Sequence, residues 1–148
     1  MEGIIFFALV MLDQLVKLAV KVFMYPGESI PILPQIFHLT YVLNPGAAFG
    51  ILENQRLFFI LAGGVVLLAA LYFLPKIRQE SAVMHYGCAA LLAGAVGNLI
   101  DRVYNGLVVD FLDFRFWPVF NIADIAIVLG VGCMMYALMF PHRIKETP

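Results

Sequence analysis

The chain has 148 residues, of which 63% are hydrophobic and 13% are charged, with a mean hydropathy of +0.94 and a formal net charge of −1. This composition excludes a water-soluble domain and predicts an integral membrane protein with about four spans of roughly 20 residues. The chain carries no block of like charge, which argues against nucleic-acid binding and a polybasic membrane-surface patch. We therefore expect one membrane domain over residues 1–148. Its predicted fold is all-α, with four transmembrane helices and a small β element at the outer membrane face.

The first predicted span covers residues 3–24. Asp13, Lys17 and Lys21 interrupt it at a spacing of four, which places all three on one helix face. An acid four residues before a base is the favourable pairing in a helix, so we interpret Asp13 and Lys17 as a structural ion pair rather than as participants in chemistry. The segment is too long and too poor in N-terminal basic residues for a cleaved signal peptide, and we expect it to be retained.

The loop after the first span is predicted to contain a strand. Residues 36–43 alternate between apolar and polar side chains, as a half-buried strand does. Four prolines between Pro26 and Pro45 exclude a helix through most of the loop. The segment Asn44 to Gly50 then supplies a turn followed by small residues, which allow a ligand to approach the backbone closely.

The second and third spans are predicted at residues 57–74 and 82–100. The second carries no charge, and Pro75 is expected to end it. Small and polar side chains recur along the third at spacings of three and four, at Gly87, Ala90, Gly94 and Asn98. Such a stripe allows another helix to approach closely and directs the asparagine toward that neighbour.

The fourth span is predicted at residues 119–140, with Asn121 and Asp124 in its first turns. Before it, Asn105-Gly106 is typical of a two-residue hairpin, with residues 107–112 as a returning strand that carries Asp110. The placement of lysine and arginine predicts that both termini are cytoplasmic and that the two aspartates lie near the outer face.

Asp110 and Asp124 are the candidate catalytic residues. Carboxylates at membrane depth are costly and mark functional sites, and two in contact cannot both be ionised, so we expect them to share a proton. The ionised member would remove a proton from a water that attacks a peptide carbonyl, while the protonated member stabilises the oxyanion. Asp124, near a helix N-terminus, is the expected base. Asp113 is a rival to Asp110, and spacing alone does not choose between them.

Other chemistries find less support. Ser29 and Ser81 have no histidine or lysine base beside them by sequence pattern, and the histidines lack metal-ligand spacing, so neither a metal nor a cofactor is expected. A small proton-coupled transporter is one alternative function, but it would normally show repeats or broken helices at mid-membrane. A non-catalytic membrane assembly factor is another, and it gives no reason for two carboxylates near the outer face.

Five sequence blocks resemble those of the signal peptidase II, or lipoprotein signal peptidase, family and occur in the family's order. They are Val10-Met-Leu-Asp-Gln-Leu-Val-Lys17, Asn44-Pro-Gly-Ala-Ala-Phe-Gly50, Gly94-Ala-Val-Gly-Asn-Leu-Ile-Asp-Arg102, Val108-Val-Asp-Phe111 and Phe120-Asn-Ile-Ala-Asp124. The resemblance implies an aspartic endopeptidase of the bacterial inner membrane that cleaves prolipoproteins before a diacylglyceryl-modified cysteine, without a cofactor. The implied partners are lipid-modified prolipoproteins and membrane lipids, and a monomer is expected. Ala93 departs from the family, which often has a second glycine there.

The same resemblance assigns the site residues. It makes Asp110 and Asp124 the catalytic pair and so chooses Asp110 over Asp113. The positions that it implies line or support the site are Asn44, Gly94, Asn98, Asp101, Arg102 and Asn121. From its position, Arg102 would either neutralise part of the pair's charge or hold a substrate carbonyl; a pairing with Asp101 or Asp113 that only fastens the loop remains open.

Overall fold

A computed structural model of the protein describes residues 1–46, 52 and 54–140. Four helices and three strands follow one another along the chain: α1 (Glu2–Phe23), β1 (Ser29–Leu33), β2 (Phe37–Asn44), α2 (Arg56–Ile77), α3 (Ala82–Tyr104), β3 (Val108–Asp113) and α4 (Ile122–Met139). All four helices are long and apolar enough to cross a membrane. The predicted architecture of four spans with a small β element is therefore confirmed.

The sheet covers one end of the helix bundle. The C-terminal ends of α1 and α3 and the N-terminal ends of α2 and α4 are the ends joined to the strands. At the opposite end, His85 Nδ1 lies 2.9 Å from the Glu2 carboxylate, and His85 Nε2 lies 2.6 Å from the carbonyl oxygen of Ile77. These two contacts join α1, α2 and α3 at the end of the bundle away from the sheet.

The small-residue stripe of α3 lies against α4, as predicted. A Cβ atom added at Gly87 would lie 2.8 Å from the carbonyl oxygen of Gly130, and one added at Gly94 would collide with the carbonyl of Ala123. The two helix backbones therefore approach more closely than larger side chains would allow. This close contact brings the first turn of α4 against the C-terminal half of α3.

The sheet is antiparallel in the order β1-β2-β3. Its inner face buries Tyr41, Val109 and Phe111 against Val20 of α1 and Met24, the residue that caps this helix, which makes a small apolar core. The strand predicted at residues 36–43 is present as β2, where Val42 pairs with Asp110 of β3. Because side chains alternate along a strand, Asp110 points away from the core that contains Val109 and Phe111 and toward α3 and α4.

Four local expectations differ from the structure. Asn105-Gly106 does not form a hairpin: the Asn105 N–H donates to the Asp101 carbonyl (2.8 Å), and Gly106, at a φ of +78°, continues the turn that ends α3. Both residue types tolerate the left-handed conformation that ends helices as well as the one that makes hairpins. Helix α3 therefore extends beyond residue 100 to Tyr104. Strand β3 pairs with β2, which lies two helices earlier in the chain, and not with a strand directly before it in the sequence.

The other two differences concern helix ends. Helix α2 continues through Pro75 to Ile77, because a proline in the last turn of an apolar helix removes few hydrogen bonds. Helix α4 begins at Ile122 rather than at residue 119, with Asn121 as its N-cap. The predicted close-approach segment from Ala47 to Gly50 lies outside the described residues.

Candidate active site

Asp110 is held on β3 by two asparagine side chains. The residue as a whole is 2% exposed. The Asn44 amide donates to Oδ2 at 2.8 Å, and the Asn121 amide donates to Oδ1 at 2.7 Å. Burying a carboxyl group requires such donors, because an ionised or neutral oxygen without a partner is costly. Both oxygens of Asp110 are therefore fixed in direction.

Asp124 is held at the start of α4 by a capping box. Its backbone N–H donates to Asn121 Oδ1 at 2.9 Å, and its carboxylate Oδ2 accepts the Asn121 backbone N–H at 3.1 Å. The other oxygen, Oδ1, accepts the amide of Asn98 on α3 at 2.7 Å. Residues of this type at the N-cap and third positions satisfy the unpaired amides of a helix start. Here the same arrangement fixes a carboxylate.

One residue joins the two aspartates. Asn121 donates its side-chain amide to Asp110 and its backbone N–H to Asp124, and it is completely buried. Asn98 extends the connection, since its Oδ1 accepts the Asn121 amide at 3.0 Å while its own amide binds Asp124. The structure thus brings together four of the residues singled out in the sequence, on β3, α3 and α4.

Both carboxylates border a cavity of about 460 Å³. Asn44, Asn98 and Arg102 add polar groups to its wall, and most of the remaining surface is apolar. The apolar wall is formed by Phe59, Ala62, Gly63, Val66, Ala95, Leu99, Trp117, Pro118, Val119, Phe120, Ile127 and Val128, from α2, α3, α4 and the segment before α4. A cavity with an apolar lining and a few convergent polar groups is typical of a substrate site.

Burial shifts the acidity of Asp110. It raises the pKa of this carboxyl to about 7, and the negative charge of Asp124 raises it further, while hydrogen bonds from Asn44 and Asn121 and the charge of Lys17 act in the opposite direction. A carboxyl group with this pKa retains a proton in about half of the molecules at neutral pH. Asp110 is therefore able to donate a proton where an ordinary aspartate is not.

Arg102 borders the cavity. Its Nη2 donates to the carbonyl of Gly46 at 3.0 Å, and its guanidinium lies 4.4 Å from the centre of the Phe59 ring. The carboxylates that the sequence offered as partners are engaged elsewhere: Asp101 pairs with Lys17 and Asp113 with Arg115, each at 2.9 Å. Arg102 thus ties α3 to the loop after β2 and keeps its cationic group beside the cavity.

Asp113 occupies a different environment from Asp110. Its Oδ2 accepts the Thr40 hydroxyl at 2.7 Å, and its Oδ1 accepts the Arg115 backbone N–H at 2.8 Å. Although burial acts to raise it, these hydrogen bonds and the Arg115 charge hold the pKa of Asp113 below its usual value. Asp113 does not border the cavity among the residues described, so the geometry favours Asp110 as the partner of Asp124.

The remaining sequence candidates act at a distance from the cavity. Gly94 allows α4 to approach α3, and Asp101 is buried beneath the site, where its Oδ2 accepts the Val109 N–H at 3.3 Å. Sequence reasoning missed Gly97, where an added Cβ would lie 2.7 Å from Asp13 Oδ2. Its position next to Asn98, on a helix rich in small residues, was the available signal.

The sheet also contains a serine and a histidine in contact, which the sequence pattern did not reveal. Ser29 Oγ lies 3.0 Å from His38 Nδ1 and 2.8 Å from Thr40 Oγ1. Strand pairing between β1 and β2 brings them together, and that pairing is not visible from spacing along the chain. Neither residue borders the cavity that holds the aspartates. Within the described part of the chain, no cluster of three His, Cys, Asp or Glu side chains is suited to hold a metal ion.

Comparison with known proteins places the chain in a family. The family model described as "Signal peptidase (SPase) II" matches residues 5–140. The chain belongs to the signal peptidase II family. Both candidate aspartates and all six candidate supporting residues lie inside the matched range. Because this is a family of proteases, the transporter and assembly-factor alternatives are set aside.

Individual relatives of this signal peptidase II chain match along nearly their whole length. The lipoprotein signal peptidase of Pelotomaculum thermopropionicum is 47% identical over 136 residues, which are 92% of this chain and 90% of that protein. The lipoprotein signal peptidase of Halothermothrix orenii is 47% identical over 146 residues, covering 99% of this chain and 100% of the relative.

Solved structures agree with the fold. A bacterial membrane enzyme solved by the in meso method at 2.3 Å resolution superposes with a TM-score of 0.90 at 35% identity, covering 99% of this chain and 94% of that one. A second, at 1.9 Å resolution, gives a TM-score of 0.86 at 36% identity and covers 95% and 94%. The signal peptidase II chain is accordingly a multi-pass bacterial membrane protein.

Proposed function

We propose that this protein removes signal peptides from bacterial prolipoproteins, with Asp110 and Asp124 as the catalytic pair that hydrolyses the bond before the diacylglyceryl-modified cysteine. The observation that carries the proposal is the position of Asn121, which hydrogen-bonds both carboxylates at the wall of one cavity. The substrate class is supported by the relatives described as lipoprotein signal peptidases. The whole chain acts as a single membrane domain.

In this mechanism the pair holds one proton. The carboxylate of Asp124 accepts a proton from a water molecule, whose oxygen attacks the scissile carbonyl carbon, and the proton on Asp110 is donated to the carbonyl oxygen. When the tetrahedral species collapses, the C–N bond breaks, Asp124 returns its proton to the leaving amine, and Asp110 recovers its own. One water is consumed and the pair ends with the single proton that it held at the start.

The roles of the two aspartates follow from their surroundings. The pKa of Asp110, raised by burial to about 7, suits it to hold the proton at neutral pH. Asp124 lies in the first turn of α4, where the helix dipole and two hydrogen-bond donors favour a negative charge. We therefore assign Asp124 as the base and Asp110 as the acid.

The apolar cavity between α2 and α4 holds the substrate on both sides of the scissile bond. Its lining suits the apolar residues of a signal peptide and the acyl chains of the modified cysteine. Asn44, Asn98 and Arg102 border the same space and support the reacting groups, with the Arg102 guanidinium beside the developing negative charge. The scissile amide must leave helical conformation to be attacked, since a helical carbonyl is already hydrogen-bonded.

The site lies near the outer face of the inner membrane, and both termini are cytoplasmic. Support for this orientation comes from Lys76 and Arg78, which lie at the end of the bundle away from the sheet, because cytoplasmic loops are enriched in such residues. We propose that the protein works as a monomer among membrane lipids; the described residues of a single chain supply both aspartates and the asparagines that hydrogen-bond them.

The experiment is cleavage of a purified diacylglyceryl-modified preprotein in detergent by wild type, Asp110→Asn, Asp124→Asn and Asp113→Asn. Each of the first two changes is expected to lower kcat by about 10²–10⁴-fold, because a positioned acid or base contributes that much. Asp113→Asn alters a carboxylate on the same strand but outside the cavity and is the matched control, expected to retain activity. Folded Asp110→Asn or Asp124→Asn protein with wild-type turnover would exclude the mechanism.

A further inference from the structure

A buried lysine lies beneath the candidate active site. Lys17 on α1 is 1% exposed, and its ammonium group lies 2.9 Å from Asp13 Oδ2, 2.9 Å from Asp101 Oδ2 and 3.0 Å from Asn98 Oδ1. All three of its protons therefore have an acceptor. A lysine is almost never buried this completely unless it is paired, and this one is paired with two carboxylates from two helices.

Each of those carboxylates continues to the backbone beside one catalytic candidate. Asp13 Oδ1 accepts the N–H of Ala123 at 2.9 Å, and Ala123 directly precedes Asp124. Asp101 Oδ2 accepts the N–H of Val109 at 3.3 Å, and Val109 directly precedes Asp110. The ammonium group thus lies between two connections, one to the start of α4 and one to β3.

A third connection runs from Lys17 to Asp124 through the side chain of Asn98. Asn98 accepts a proton from Lys17 at Oδ1 and donates its own amide to Asp124 Oδ1 at 2.7 Å. Because an amide has a donor at one end and an acceptor at the other, the lysine dictates which end of Asn98 faces Asp124. A change at the lysine would therefore alter the direction of a hydrogen bond to the base.

We infer that Lys17 is a positioning residue, which sets the separation and orientation of Asp110 and Asp124 through Asp13, Asp101 and Asn98. This inference rests on the proposed function of the two aspartates. It assigns the Asp13–Lys17 pair a role beyond the structural ion pair expected from the sequence. The lysine touches neither the cavity nor the reacting atoms, so it acts through its three partners.

An ion pair that merely offsets burial does not account for this arrangement. Asp101 already has Lys21 at 3.9 Å, so Lys17 is not needed to balance its charge, and buried pairs are often no more stabilising than apolar residues. The second carboxylate has a geometric use, since it connects the same ammonium to β3. Catalytic groups displaced by about 1 Å lose about a hundredfold in rate, so a fixed separation has a direct effect on turnover.

Charged side chains from four elements surround Lys17. They are Asp13 and Lys21 on α1, Asp101 and Arg102 on α3, Asp110 on β3 and Asp124 on α4. Within this set, the charge of Lys17 lowers the pKa of Asp110. Removing the lysine charge is therefore expected to raise that pKa, and the rate of the enzyme reports this change through its pH dependence.

The test compares turnover of a diacylglyceryl-modified preprotein by wild type, Lys17→Met, Asp13→Asn with Lys17→Met, and Lys76→Met. The double variant removes one positive and one negative charge, so it keeps the net charge of the cluster. Lys76→Met is the control, because it removes the charge of an exposed lysine on α2, which lies over the Phe73 ring at the end of the bundle away from the sheet. We expect both Lys17 variants to lose about a hundredfold in kcat with KM within about twofold of wild type. In Lys17→Met the alkaline limb of the kcat/KM profile should move to higher pH, and Lys76→Met should leave all three quantities unchanged.

Wild-type kcat and an unshifted profile in folded Lys17 variants would overturn the inference, as would a loss confined to KM. If neither variant yields folded protein, Asp13→Asn and Asp101→Asn decide, because each keeps the lysine and the shape of the carboxylate. The inference expects a fall in kcat at constant KM in both, and unchanged kcat in both contradicts it. A failure of the proposed function is distinguishable, because Asp110→Asn would then remain active whatever the Lys17 variants do.

Discussion

The two sides of the cavity differ in how firmly they are built. On one side, α3 buries nine residues and meets α4 through glycines, and every buried polar side chain described there has a hydrogen-bond partner. On the other side, none of the 22 residues of α2, a helix described in full, is buried. The catalytic candidates thus lie on a close-packed polar platform, formed by α3, β3 and the start of α4. The facing wall is the apolar helix α2, whose residues are all partly or fully exposed. This contrast suggests that the platform determines the chemistry and the wall determines the fit of the substrate.

The largest expected effect comes from separating α3 and α4. We predict that Gly94→Val abolishes activity, because its Cβ would collide with the Ala123 carbonyl and with Ile127, and overpacking of this kind costs about 1–3 kcal/mol or more. Gly64→Val is the control on α2, where no atom of the described residues lies within 4 Å of an added Cβ. Thermal unfolding in detergent and preprotein cleavage measure both variants. Equal losses of stability and activity in the two variants would show that the contact between α3 and α4 is no more important than the surface of α2.

Within the platform, Asn98 should contribute more to turnover than Asn105, the exposed asparagine that caps the end of α3. Asn98→Ala removes the donor to Asp124 and the acceptor for Lys17 and Asn121, and we expect kcat to fall by about 10²-fold, in the range for losing one stabilising donor at a catalytic site. Asn105→Ala, at the exposed end of α3, should stay within about twofold of wild type. Steady-state kinetics on folded protein decide, and equal kcat values would remove Asn98 from the site.

The pH dependence of turnover should follow the acid. Because Asp110 must carry a proton and its pKa is raised to about 7, its protonated fraction falls as the pH rises through 7, and kcat/KM should decline by about tenfold for each further pH unit. An ordinary aspartate would already be ionised at this pH. Initial rates at preprotein concentrations well below KM, between about pH 5.5 and pH 9, provide the measurement. A flat profile above pH 7 would contradict the assignment of Asp110 as the acid.

The same shift predicts a change in stability. In the folded protein Asp110 binds its proton up to about pH 7, whereas in the unfolded chain it releases it near pH 4, so the folded state loses stability relative to the unfolded state as the pH rises between these values. Asp110→Asn lacks this group. The unfolding free energy of Asp110→Asn minus that of wild type should therefore increase from pH 5 to pH 8, and a constant difference would show that the pKa is not raised.

The smallest expected effect concerns α2, which forms the exposed wall of the cavity. Ala62 on α2 borders the cavity, and Ala62→Leu would occupy part of its volume without touching the platform. We expect KM to rise about three- to tenfold, in proportion to the fit lost in an apolar pocket, while kcat stays within about twofold. Ala70→Leu, on the same helix but away from this cavity, is the control. A fall in kcat with constant KM for Ala62→Leu would mean that the wall also positions the reacting groups.

Much of the platform was visible in the sequence because its signals are local. The stripe from Gly87 to Asn98 follows helical spacing, and the polar residues at the start of α4 interrupt an apolar run. Strand β1 was missed because all five of its residues are exposed and one of them is Pro31. It therefore lacks the alternation that marks a half-buried strand. Asn105-Gly106 was misread because the same two residue types serve as a hairpin turn and as a helix end.

The positioning cluster could not be predicted from the sequence for a different reason. The spacing of Asp13 and Lys17 reveals that they share a helix face, but it does not reveal which helix that face meets. The partners Asp101 and Asn98 lie on α3, and the amides that complete the network belong to Ala123 and Val109. Only the packing of three helices and a strand brings these groups together.

We propose above all that Asp110 and Asp124 act on one water between them. The most direct measurement is an experimental structure with a non-cleavable preprotein analogue that carries a hydroxyl group at the scissile carbon. We predict that this oxygen lies about 2.6–3.2 Å from a carboxylate oxygen of each aspartate. A hydroxyl bound elsewhere in the cavity, or in contact with one aspartate while the other points away, would contradict the account.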